Sequence, residues 1–231
     1  MTARGRVAEW EVPCPTYEEI CTFCNEVSGR PNRFHEFGVP SGAADYILYQ
    51  TDRFVVVPCI GALTDWYLLI VPKRHVLSTG WLNASERAEL RAVIETVRPR
   101  LASRSGMNVV VFEHGSYSFR DKGGACHDHA HIHVVATARP TQDFVRYVGD
   151  LIRFEPSVNW IEAAAEVVNG SACAYLALEH EGGSMIGRAS GAPSGFFRKA
   201  LMNWLEGNPD EHDWLVFPQA DRIYRMLEAG L

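Results

Sequence analysis

Four of the nine histidines fall at alternate positions in the run His127-Asp128-His129-Ala130-His131-Ile132-His133, and Val134 and Val135 follow. In a strand, residues i, i+2 and i+4 share a face. The pattern predicts that imidazoles 129, 131 and 133 stand in a row, with Ala130, Ile132 and Val134 packed behind. Histidine titrates near neutrality, attacks as a neutral nucleophile and binds metals. Like-face neighbours in a strand lie roughly 6.5 to 7 Å apart. Two adjacent rings can therefore converge on one zinc at about 2.0 Å, but four cannot. Part of the row must do something other than ligate a single ion. Asp128 alternates to the opposite face and is a poor candidate for a catalytic acid.

The segment 129–135 resembles the His-φ-His-φ-His-φ-φ signature of the histidine-triad (HIT) superfamily of nucleotide hydrolases and transferases. Three further features stand in the order of that family. They are Cys21-Thr22-Phe23-Cys24, Val71-Pro72-Lys73-Arg74-His75 and Val110-Val111-Phe112-Glu113-His114-Gly115. The resemblance covers about residues 18 to 139.

This resemblance implies site roles. The middle histidine, His131, is the expected nucleophile at the α-phosphorus, forming a nucleotidyl-histidine. His133 orients or polarises it, and His129 completes the catalytic row. Neutral imidazole approaches a phosphoryl centre without charge repulsion, and a covalent intermediate splits one hard displacement into two. An attacking His131 must be neutral, so activity is expected to rise through an apparent pKa of about 6.5 before local shifts. In zinc-bearing relatives a Cys pair is joined by two histidines. Here these map to Cys21, Cys24, His75 and His129, a closed tetrahedral structural zinc site, with His127 competing with His129 for the metal. The glycine segment before the triad implies phosphate contacts from Gly124 and Cys126, with His114, Arg120 and Lys122 as charge-assisted partners. Cys126, Ala125 and Phe112 depart from the family's usual hydroxyl, amide and asparagine residues. A histidine at the third triad position favours hydrolase over uridylyltransferase, where glutamine is common.

Stepping outward from the site, the spacing predicts the elements that carry it. Tyr17 to Val27 reads as a short helix or zinc-knuckle turn, and 28–44 as loop. Strand-like runs at 45–50, 53–59 and 66–71 are rich in β-branched and aromatic residues. Asn83 and Glu86 make a capping box. Leu90, Val93, Ile94, Val97 and Leu101 then give the stripe of a half-buried helix. Pro99 is expected to bend or end that helix, and Gly106 to stop it. Strands at 107–113 and 129–137 flank a polar, glycine-bearing loop at 115–124, expected to be mobile over the site. The sum is an α+β fold: a HIT-like antiparallel five-stranded sheet with one long helix, usually built into a homodimer.

Three domains are expected: an arm at 1–15, a catalytic domain at 16–139, and a mixed α/β C-terminal extension at 140–231. The extension is read as a lid, a dimer-completing element or a degenerate half-domain. It holds helices at 144–154, 158–168, 196–205 and 220–227, and a hairpin over 172–188. Its Ser194-Gly195-Phe196-Phe197-Arg198-Lys199 and Asp213-Trp214 resemble the extensions of larger HIT-like proteins.

The composition is that of an ordinary packed domain, 47% apolar in 231 residues. A net charge of −6 argues against long nucleic acids as partners. No run is long and apolar enough for a membrane span. Six cysteines, at 14, 21, 24, 59, 126 and 173, are too few for a disulfide scaffold, and a cytoplasmic setting is expected. Cys14, Cys59 and Cys173 read as small hydrophobes, and His35, His180 and His212 as surface residues. The expected function is a nucleotide hydrolase or nucleotidyltransferase acting through His131 on a small nucleotide conjugate. Two alternatives stay open: a zinc-dependent hydrolase with metal-activated water held at His127 and His129, and a non-catalytic nucleotide sensor on the same fold.

Overall fold

The computed structural model describes residues 15–39 and 45–231. Nearly all of the expected N-terminal arm, with Cys14, and residues 40–44 of the expected loop lie outside them. Two short helices, α1 (Pro15–Ile20) and α2 (Thr22–Ser28), hold the Cys pair. Gly29 closes α2 in the left-handed conformation, φ +69°. The turn α3 (Arg33–Glu36) follows, then β1 (Tyr49–Gln50), β2 (Phe54–Pro58) and β3 (Tyr67–Pro72). The long helix α4 spans Ala84–Ser105, with the expected capping box of Asn83 and Glu86 and the expected stop at Gly106. Pro99 does not end it. Pro99 and Glu95, one turn earlier, are both exposed, so the carbonyl that loses its partner faces water. Leu101 beyond it stays fully buried, and that packing outweighs the local cost of proline.

β4 (Asn108–Gly115) and β5 (Ile132–Thr137) complete the expected set. The extension supplies α5 (Thr141–Gly149), β6 (Glu155–Ser157), α6 (Trp160–Glu166), β7 (Tyr175–His180), β8 (Gly183–Arg188), α7 (Phe196–Trp204) and α8 (Ala220–Ala229). The sheet therefore has eight strands rather than five, in the order β1-β2-β3-β5-β4-β7-β8-β6. The outer edge of β4 is paired antiparallel with β7, Glu113 opposite Ala177, so the extension continues the same sheet. About that junction the order is symmetric. The sequence β3-α4-β4-β5 recurs as β6-α6-β7-β8, with β3-β5-β4 facing β7-β8-β6. The β4 edge is thus occupied within the chain and offers no strand edge to a second copy.

Alternation sorts the sheet into two faces. On one, Leu68, Ile70, Val111, Ile132 and Val134 pack beneath α4 and α6. On the other, Tyr67, Leu69, Val110, Phe112 and Val135 pack against α2, α5 and α7. Two buried carboxylates join the halves. Glu179 accepts from Arg91 and Arg98 of α4 and from the Trp160 indole of α6. Glu113 accepts from the Thr79 amide at 2.8 Å and the Tyr175 hydroxyl at 2.6 Å. Burial pushes Glu113 up to about 7. His180, expected at the surface, is buried at the end of β7, where Nδ1 accepts the Gly182 amide.

Candidate functional site

The strand of the triad begins at Ile132, not at His129. His133 alone lies in β5, between Leu69 and Phe112 of its neighbours. His129 and His131 sit in the segment leading into it. The predicted single row therefore divides. His129 turns to the Cys pair, while His127, His131 and His133 stay together, with ring centroids 5.5 and 4.9 Å apart.

At the first centre, His129 Nδ1 lies 3.4 Å from Cys21 Sγ and 3.5 Å from Cys24 Sγ, and His75 Nδ1 lies 3.4 Å from Cys24 Sγ. All four donor atoms fall within 4.8 Å of one another. Zinc at about 2.3 Å from sulfur and 2.0–2.1 Å from nitrogen sets a tetrahedral S···N edge of about 3.5 Å, which is the spacing found. His129 Nε2 donates to the Pro72 carbonyl at 2.9 Å. That bond fixes the tautomer and leaves Nδ1 bare toward the sulfurs. The two thiols share one proton: donation from Cys24 holds Cys21 far below the ordinary thiol range, and the same bond together with burial holds Cys24 far above it. Thiolates and bare imidazole nitrogens are what a divalent ion displaces protons to reach. The four residues fit a structural zinc. Held together, they tie α1 and α2 to the end of β3 and to the histidine segment, which the Ala130 amide also fastens to the Val76 carbonyl.

At the second centre the imidazoles are held in opposite senses. His131 Nδ1 lies 2.8 Å from the His129 carbonyl. A carbonyl only accepts, so Nδ1 carries the proton and Nε2 is a bare lone pair. His133 Nδ1 lies 2.9 Å from the Tyr67 hydroxyl. The Arg198 guanidinium stands over the Tyr67 ring at 5.8 Å. Burial holds the Tyr67 hydroxyl above the ordinary phenol range, the Arg198 charge opposes that shift, and the same charge disfavours a cationic His133. With Tyr67 donating to Nδ1, the proton of His133 would sit on Nε2, a buried atom with no hydrogen-bond partner among the described residues. Burial is the main reason that both rings stay well below the usual histidine range, and the neighbouring histidines add to it. For His131 this local shift moves the expected rise in activity to pH below 6.5. His133 stacks on Phe112 at 4.6 Å, which holds its plane.

These rings open onto a small cavity of about 30 Å³. Phe23 and Glu26 of α2 line one side, and Cys59, Cys126, Arg198 and Trp214 line the rest. Burial, and then the Cys21 charge, push Glu26 up to about 8. Trp214 packs on His127 at 4.8 Å. Arg198 and Trp214 come from the extension; in the sequence Arg198 stands in one of three basic clusters, with Lys73-Arg74 and Arg120-Asp121-Lys122, that could hold a few phosphates. Tyr67 was missed, although it is the only polar side chain in an otherwise aliphatic strand.

Of the residues expected to contact phosphate, Gly124, Cys126, Arg120 and Lys122 line an open groove beside the cavity, shared with Ser190 and Ser194 of the extension. Cys126 borders both spaces. Lys122 pairs with Asp128 at 2.7 Å. Gly123 takes φ +56°, and a Cβ there would meet Ala174 Cβ at 2.5 Å, so only glycine fits. His114 stands apart from the groove. Its Nε2 accepts the Phe197 amide at 2.9 Å, and burial lowers it to about 3. The loop expected to be mobile is fastened, with Asp121 accepting the Ala174 amide and Gly124 the Gly195 amide.

An antiparallel α+β sheet with a Cys2His2 group on one flank and a histidine-lined cavity on the other defines the class to which the chain is compared. Residues 42–139 match the family described as the HIT domain. Cys21 and Cys24 lie before the matched region, and Arg198 and Trp214 after it. Three solved structures are similar. A Streptococcus mutans protein is 22% identical over 57% of this chain and 80% of its own, with a TM-score of 0.40. A zinc-bound histidine-triad family protein from Mycobacterium smegmatis is 19% identical over 52% and 76%, at 0.39. A hypothetical histidine-triad nucleotide-binding protein from Sulfolobus tokodaii is 18% identical over 66% and 91%, at 0.37. No curated protein matches the chain.

Proposed function

We propose that the protein is a nucleotide hydrolase or nucleotidyltransferase that works through a covalent nucleotidyl-His131. The observation that carries this reading is the pair of Nδ1 contacts, His131 to the His129 carbonyl and His133 to the Tyr67 hydroxyl, from which opposite tautomers follow. His131 presents a bare Nε2, and His133 presents an unpartnered Nε2–H, at one cavity. In the first step the Nε2 lone pair attacks the α-phosphorus. The bond from phosphorus to the leaving group breaks, and that group departs with its electron pair. His133 donates to a phosphoryl oxygen as charge develops there. In the second step water or a phosphate acceptor attacks phosphorus, the P–N bond breaks, and His131 is restored. Zinc, when bound at Cys21, Cys24, His75 and His129, supplies a structural cross-link. The groove of Gly124, Cys126, Arg120 and Lys122 suits the leaving group, beside the small cavity that His131 and His133 line. The extension completes both spaces within one chain.

A panel of nucleoside phosphoramidates, dinucleoside polyphosphates and sugar nucleotides tests the reading. Wild type should turn over at least one class, and His131→Asn should lose that turnover while keeping its fold by circular dichroism. A His131→Asn variant as active as wild type contradicts it.

One further observation favours a second reading. Cys126, His127 and His131 also bring their ligand atoms within 4.8 Å, and three ligands with an open fourth position is the pattern of a catalytic zinc. A metal-activated water would then attack, and His131 would be a ligand. Elemental analysis separates the two: the covalent reading expects one zinc per active chain, the metal-hydroxide reading two.

A further inference from the structure

We infer that the cavity beside His131 contains an anion subsite and that Arg198, delivered by α7, is its counter-charge, holding phosphate oxygens of the ligand. This rests on the proposed nucleotidyl transfer only for which phosphate is held. Arg198 is 3% exposed. Among the described residues no carboxylate lies within ion-pair distance of it. Glu26 lines the same cavity but makes no ion pair with it. The bonds of Arg198 go to neutral groups. Nε donates to the His212 carbonyl at 2.9 Å, one terminal nitrogen to the Gly61 carbonyl at 2.6 Å, and the other faces Cys59 Sγ at 3.7 Å.

A clip between two carbonyls needs donors but no charge. A guanidinium costs several kcal/mol to bury without a counter-ion, so its presence calls for one. The cavity is where a counter-ion can come from, since the side chain lines it together with His131 and His133. The geometry of guanidinium, a planar fork, matches the oxygens of a phosphate. α7 is set for this by Gly195, left-handed at φ +68°, and by the bond from the Phe197 amide to His114. The extension thus places a fixed positive charge against a site built mainly by the other half of the sheet.

The test measures binding, apart from turnover. Wild type, Arg198→Gln and Arg198→Lys are titrated with inorganic phosphate, with the four common nucleoside 5′-monophosphates and with the four nucleosides by calorimetry. Loss of a charge-assisted hydrogen bond is worth about ten- to a hundredfold in affinity. Arg198→Gln should weaken phosphate and monophosphate binding by that factor and leave nucleoside binding unchanged, and Arg198→Lys should fall between. A loss for inorganic phosphate with none for monophosphates moves the subsite to the leaving-group side. Equal affinity of wild type and Arg198→Gln for all anions overturns the inference, as does an equal loss for nucleosides and monophosphates. If Arg198→Gln does not fold, wild type with 15N-labelled arginine decides the matter: a saturable shift of the Arg198 Nε–H signal with phosphate supports the subsite, and an unmoved signal refutes it. Arg198-dependent phosphate binding without any nucleotidyl adduct would leave the inference standing while the proposed reaction fell.

Discussion

Replacing Tyr67 by phenylalanine isolates the hydrogen bond on which the proposed donor depends. Tyr67 and His133 are 1% and 2% exposed, so no water replaces the lost hydroxyl. The 2.9 Å bond to Nδ1 disappears, and a buried ring nitrogen is left without a partner. That costs about 1–3 kcal/mol. For a chain of this size the expected fall in melting temperature is about 2–4 °C per kcal/mol. The catalytic effect should exceed what instability explains, because His133 Nε2 is then no longer fixed as a donor. Removing a donor outright costs about 10² to 10³ in kcat; loosening one should cost about tenfold, with KM little changed. Urea denaturation gives the first number and single-turnover kinetics the second. 15N spectra of the histidine rings read the tautomer directly. A variant destabilised as expected but fully active would refute the role given to His133. A variant with the same stability as wild type would refute the bond itself.

Burial holds His131 well below the usual histidine range. The bare form is therefore present throughout the range above the ordinary pKa of 6.5, and single-turnover rates should stay flat from pH 8 down through about 6.5; a rising limb centred there would show a solvated nucleophile. Cys24→Ser should lose the zinc of a protein whose X-ray absorption shows two sulfur and two nitrogen neighbours at about 2.3 and 2.0 Å, and a shell of nitrogen and oxygen alone in wild type would reject the assignment. Glu113 titrates at about 7 in the fold against 4.5 when free. Its folded pKa is raised, so its contribution is full below 4.5 and falls as pH rises through 7, a loss of about 3 kcal/mol. Glu113→Gln should remove that slope from the difference in denaturation free energy between the two proteins, and parallel curves across pH 4.5 to 7 would count against the buried acid.

Much of this site could be read along the chain because its chemistry is local. The His-x-His-x-His alternation marked the histidine-lined segment of the candidate site, and two cysteines three apart marked half of a metal-capable group. Asn83, Glu86 and Gly106 fixed the long helix, since caps act within one turn. The misreadings came from packing between distant segments. Alternation placed His129 in the strand, but the pull of Cys21 and Cys24 turns it out, and the strand starts three residues later. His114 had the composition of a phosphate ligand, yet α7 covers it and takes its free nitrogen. β6 is three residues long and carries Pro156, so it had no alternation to show. Arg198-Lys199 was one of three basic clusters able to hold phosphates, and only the fold places Arg198 on the cavity wall, buried and without a counter-ion among the described residues.

The most direct measurement is the identity of the phosphorylated atom. Wild type mixed with a labelled substrate of the class that turns over fastest is quenched within one turnover, digested, and mapped by tandem mass spectrometry. The account predicts a nucleotidyl group on His131, formed and lost at rates that reproduce kcat, and absent from His131→Asn. A nucleotidyl group on another residue, or steady turnover in fully zinc-loaded protein with no adduct at any time, would contradict it.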